Sequence, residues 1–144
     1  MELTYKKIVI AVDGSKAAEK AFKKSIEVAK RNDATLILAH VVDTRTFATA
    51  EAYDRSLSER AEKYAKDILD EYEQTAKDAG VVNTKTIMKY GSPKVVIAKE
   101  IAPEEDADLI MVGATGLNAV ERFLIGSVSE SIVRYSKCDV LIVR

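Results

Sequence analysis

Short apolar runs rich in β-branched residues alternate along this chain with longer stretches in which apolar positions recur every three or four residues, predicting strands and helices in turn. Lys7-Ile-Val-Ile-Ala-Val12 is apolar throughout and stops at Asp13-Gly14-Ser15, the pattern of a buried first strand. Ala18, Ala21, Phe22, Ile26 and Ala29 then share one face of a helix from about Ser15 to Arg31, with Ser15 as its cap. Thr35 to Val42 predicts a second strand covered on both faces, ending at Asp43. Residues 44 to 56 lack a clear period. Leu57, Ala61, Tyr64, Ala65, Ile68, Leu69, Tyr72 and Ala76 mark a long amphipathic helix that Gly80 ends. A weaker third strand, around Thr84 to Lys89, leads to Ser92 and Pro93, a cap and first turn for a helix running to about Ala102. Pro103 with Glu104, Glu105 and Asp106 predicts a solvated turn. A fourth strand from Asp108 to Val112, a helix from Ser127 to Tyr135 and a last strand from Asp139 to Val143 complete the chain.

Five strands separated by helices predict a single α/β domain over residues 1–144: an open, mostly parallel sheet with helices on both faces, joined by right-handed crossovers. In such sheets ligands bind beyond the C-terminal ends of the strands, where the strand order reverses. With strands one and four as neighbours, Asp13, the segment Val41 to Asp43 and Gly113 would surround one crevice. The sequence there carries Gly113-Ala-Thr-Gly116, then nine residues, then Gly126-Ser127 at the start of a helix. Glycines let an anion approach the backbone, and a helix N-terminus offers unpaired amides with about half a positive charge. The crevice reads as a nucleotide cleft.

Composition narrows the alternatives. Lys plus Arg (22) nearly equals Asp plus Glu (23), so no net field favours nucleic acid or an anionic membrane. No apolar stretch approaches the length of a transmembrane span, and the N-terminus carries no leader-like core, so a cytoplasmic protein is the expectation. Cys138 is the only cysteine, which excludes an internal disulfide, and a strand-start position suggests a small buried hydrophobe. His40, on an apolar strand without companion ligands, reads as a hydrogen-bonded core residue. Strand one is followed by Asp-Gly-Ser, not by a Gly-x-Gly-x-x-Gly or Gly-Lys-Ser/Thr loop, so a dinucleotide dehydrogenase or P-loop enzyme does not fit.

The pattern Gly-x2-Gly-x9-Gly-Ser at Gly113, Gly116, Gly126 and Ser127 stands alongside Ile-Val-Ile-Ala-Val-Asp13, His-Val-Val-Asp43, Gly-Ser-Pro93 and Cys-Asp-Val-Leu-Ile-Val143. Together these resemble the universal stress proteins over the whole chain. The resemblance implies strand order 3-2-1-4-5 and, in members that keep the glycine pattern, ATP binding. It implies cofactor contacts at Ala11, Asp13, Val41, Val112, Gly113, Gly116, Gly126, Ser127, Val128 and Ser129. Asp13 would lie beside the nucleoside, the Val41 backbone against the adenine edge, and Gly113 and Gly116 around the ribose and phosphates. Gly126, Ser127, Val128 and Ser129 would present amides and hydroxyls to the phosphates. Ala114 and Thr115 depart from the hydroxyl and cation that relatives often carry there, leaving magnesium or Arg122 to balance the charge.

Asp13 has a plainer reading as a turn residue, and Ser127 and Ser129 as helix caps. No catalytic or metal-ligating residue is assigned, because no base or water-orienting group for hydrolysis stands out. The expected function is an ATP-binding regulatory protein with slow hydrolysis at most; the alternatives are a slow ATPase or phosphotransferase, and an interaction module with a vestigial site. The last strand, Asp139 to Val143, would be an exposed apolar edge, which pairing in a homodimer would cover. A branched residue at Gly126 would block a phosphate and resist an unusual backbone angle.

Overall fold

In the computed structural model, the structure describes residues 4–43, 55–114 and 126–144. Gly116, Thr115, Arg122 and residues 44–54 lie outside the described residues. The strands are β1 (Lys7–Ala11), β2 (Thr35–Asp43), β3 (Asn83–Gly91), β4 (Leu109–Gly113) and β5 (Asp139–Val143). They form one parallel five-stranded sheet in the order β3-β2-β1-β4-β5, as the resemblance implied.

The apolar runs of β1 and β2 are continuous because both faces are covered. On one face Ile8, Ile10, Leu36 and Leu38 pack with Phe22 and Ile26 of helix α1 (Lys16–Asn32) and with Leu69 and Ala76 of α2 (Arg55–Asp78). On the other, Val9, Ile37, Ala39, Val41 and Ile110 pack with α3 (93–104) and with Ile132 of α4 (Ser127–Tyr135). α1 and α2 therefore share one face of the sheet and α3 and α4 the other. The crossovers change face between β1 and β4, which puts the reversal point there.

Local signals explain most boundaries. Ser15 caps α1, its Oγ accepting from the Ala18 amide at 3.1 Å. Asp33 ends the helix in the left-handed conformation (φ 52°). Two expectations shift. The third strand runs two residues further, to Gly91, because it pairs with β2 along its whole length. Pro103 and Glu104 belong to α3 and not to a turn: Pro93–Val96 leads into a π-helical turn, Ile97–Ile101, and then Ala102–Glu104. Pro103 cannot donate to the Lys99 carbonyl, and the wider π turn accommodates its ring without breaking the helix. Cys138 is half-buried against the second core cluster, with its backbone N–H and C=O both bonded to Ser136 Oγ. No helix among the described residues is long and apolar enough to cross a membrane.

Candidate functional site

The β1–α1 turn is built by three short contacts. Gly14 has φ +82°, where L side chains are strained, and a Cβ there would collide with the Tyr64 hydroxyl from α2. Asp13, half-buried, accepts from the Ser15 amide through Oδ1 at 2.8 Å, an Asx turn that fixes its carboxylate at the end of β1. His40 is buried, and its Nδ1 lies 2.7 Å from the Val12 carbonyl. A carbonyl only accepts, so the proton sits on Nδ1. His40 is thus the hydrogen-bonded core residue that its apolar surroundings suggested, but its partner is the backbone at the mouth of the crevice.

Gly113 closes β4, paired with Val143. A Cβ on it would lie 2.7 Å from the backbone carbon and oxygen of Ala17. Its glycine identity therefore lets the first turn of α1 press against β4, bringing the start of α1 beside the end of β4. Ala114 then turns the chain. Its amide donates to the Val143 carbonyl at 2.9 Å, and its carbonyl accepts from the Gly126 amide at 2.6 Å and from Ser129 Oγ at 2.9 Å. This clamp fastens the start of α4 to the end of β4.

The clamp alters two expected roles. The Gly126 amide and the Ser129 hydroxyl, expected to face a phosphate, are engaged within the chain; Ser129 Oγ also lies 3.1 Å from the Gly126 carbonyl. Gly126 has φ −64° and ψ 159°, an ordinary extended conformation, so no unusual backbone angle demands a glycine there. What α4 still offers is the amides of Ser127, Val128 and Ser129, which have no acceptor inside the helix. Ser127 is exposed and Val128 half-buried.

Ala11 and Val112 lie at the C-terminal ends of adjacent strands, and Val41 two residues before the end of β2. Strand parity gives the direction of the Val41 backbone. The Ala39 carbonyl accepts from Val12 across the β1 side, so Val41, two residues on, also turns its N–H and C=O towards β1, past the last paired rung. Sequence reasoning missed the Gly113–Ala17 contact, the Ala114 clamp and the His40–Val12 bond, since each joins residues far apart in the chain. Among the described residues no three His, Cys, Asp or Glu side chains gather as a metal site. Asp13 places a carboxylate at the end of β1, and Asp43 ends the neighbouring β2.

The family model for the universal stress protein family matches residues 4–144. Over 142 residues, 99% of this chain and 85% of the other, the sequence is 55% identical to a universal stress protein of Staphylococcus saprophyticus. Universal stress protein UspA from Lactobacillus plantarum superposes with a TM-score of 0.88 at 34% identity, covering 99% of this chain and 100% of that one. A universal stress protein solved in complex with cAMP superposes at 0.73 with 32% identity, covering 98% of each chain.

Proposed function

The chain belongs to the universal stress protein family, and from that premise we propose that it is an ATP-binding regulatory protein, homodimeric, with slow hydrolysis at most. The observation that carries the reading is the placement, at the reversal point of the sheet, of the Asp13 turn, the Val41 backbone turned towards β1 beyond the last rung and the three amides that open α4, which have no acceptor among the described residues. A relative at 32% identity is described in complex with cAMP, so adenine nucleotides are among the ligands of this fold.

In this reading the Val41 N–H and C=O take the adenine edge, with Ala11 and Val112 as the floor beneath. Asp13 accepts from the ribose. Gly113 and Gly116 line the ribose and phosphates, and Ser127, Val128 and Ser129 bind phosphate through their amides. Gly126 serves by letting the phosphate come close and by anchoring α4 to Ala114. Magnesium, when bound, neutralises phosphate charge that no Walker lysine covers. Affinity on the order of micromolar corresponds to about 8 kcal/mol.

Ser127→Pro tests the phosphate contact. Ser127 is the first residue of α4 and follows an extended residue, the setting in which proline is tolerated, so the helix keeps its bonds while one phosphate-facing amide is lost. Calorimetric titration is expected to show ATP affinity reduced about tenfold with an unchanged melting temperature, the loss of one charge-assisted hydrogen bond. Unchanged affinity in a folded variant would remove the phosphates from α4.

The homodimer rests on β5. Its Val140, Leu141 and Ile142 are only half-buried, and no strand among the described residues covers its outer edge. Two such edges pairing about a two-fold axis would cover both.

A further inference from the structure

We infer that His40 holds the base site open by taking the place of the Val41 amide at the Val12 carbonyl; the inference rests on the nucleotide reading of this crevice. In a parallel ladder the rungs follow a fixed rule: a residue whose N–H reaches one residue of the neighbouring strand receives, at its own C=O, the amide two residues further along that neighbour. Val12 donates to the Ala39 carbonyl at 2.9 Å. The next rung would therefore be Val41 N–H to Val12 C=O. That rung is not made. Pairing of β1 with β2 stops at Ala11 and Ala39, and the Val12 carbonyl accepts from His40 Nδ1 at 2.7 Å instead.

The substitution of a side-chain donor for a backbone donor has two effects. It satisfies the Val12 carbonyl without the ladder's own donor as the chain turns towards Asp13. It also leaves the N–H and C=O of Val41 together on the crevice side, with no described residue bonded to either. An adjacent donor and acceptor on one strand edge match a flat heterocycle that presents an acceptor beside an amino group, as adenine does. Without the imidazole, the Val12 carbonyl is free to accept from Val41, and the ladder would close by one rung over the place the base occupies. His40 is a positioning residue: it acts on the ligand only through Val41 and Val12.

Amide hydrogen exchange followed by NMR on the nucleotide-free protein tests this directly. In the wild type the Val41 amide is expected to exchange at least tenfold faster than that of Ala39, which lies inside the ladder. His40→Leu removes the donor; the Val41 amide should then slow about tenfold, and ATP affinity should fall about tenfold, because a contact to the base is lost. His40→Asn, whose Nδ2 stands where the imidazole Nδ1 stood, should restore both. A purely structural role would speed exchange throughout β2 and would not protect one amide. A Val41 amide as protected as Ala39 in the wild type, or unchanged in a folded His40→Leu protein, overturns the inference. If His40→Leu fails to fold, His40→Gln, which moves the donor beyond reach of Val12, is read by the same criterion. A wild type that takes up no ATP would sink the nucleotide reading alone, since the exchange comparison needs no ligand.

Discussion

At the scale of single residues, Gly113 illustrates how a position in a phosphate-type motif can be fixed by packing. The space its side chain would fill is occupied by the Ala17 backbone at 2.7 Å. Gly113→Ala must push α1 from the sheet, and overpacking of this kind costs about 1 to 3 kcal/mol. Urea denaturation should show that loss; a variant as stable as the wild type would mean that α1 gives way freely. The motif spacing made Gly113 and Gly126 visible in the sequence, but not why they are glycines. One is set by Ala17 of α1, far from it in the chain, the other has unremarkable backbone angles, and neither fact is encoded in local sequence. His40 was legible as a buried, satisfied histidine because apolar neighbours flank it; its acceptor, 28 residues away in the chain, was not.

At the scale of elements, the two sheet edges differ. On the β3 edge Lys85 pairs with Glu105 at 2.7 Å and Lys89 with Glu104 at 2.6 Å, tying the strand to the C-terminal end of α3 and its cap and placing charge beside the free edge. β5 presents apolar residues instead. Because the Val143 carbonyl accepts from Ala114 on the inner side, strand parity turns Leu141 inward as well and Val140 and Ile142 outward. Ile142→Pro therefore removes an outward donor and spares the ladder with β4, so light scattering should find a folded monomer. Leu141→Pro breaks an inner rung and should lose about 3 kcal/mol or more of stability by the same denaturation assay. A dimer that survives Ile142→Pro would exclude this edge. Strand and helix positions were legible from periodicity for nearly every element. The π turn before Pro103 was not, because proline at the end of an apolar helical face gives the same pattern whether the helix stops or widens.

For the molecule as a whole, the titrating groups with perturbed affinities point in one direction. A hydrogen bond to Asp139 holds the Tyr5 phenol above its usual pKa, burial raises Tyr72 and Tyr90, and the bond to Glu104 raises Lys89. A raised folded-state pKa means that the folded protein keeps its proton longer than the unfolded chain. The stability this contributes is complete below the unfolded value, about 10, and is lost as pH rises through the folded value. The melting temperature should thus hold between about pH 8 and pH 9.5 and decline above about pH 10, less steeply in Tyr5→Phe. A profile identical in the two proteins would remove Tyr5 and Asp139 from the balance.

The same whole-molecule view explains why the crevice is expected where it is: strand order places the ends of β1, β2 and β4 side by side, and the crossovers change face between β1 and β4. The most direct test of a nucleotide in that space is to denature protein purified without added ligand, identify whatever is released by absorbance and mass spectrometry, and titrate the emptied, refolded protein with ATP and magnesium. An adenine nucleotide released, or ATP taken up at about one per chain, is the outcome this account predicts. Protein that releases no nucleotide and takes up no ATP would contradict it.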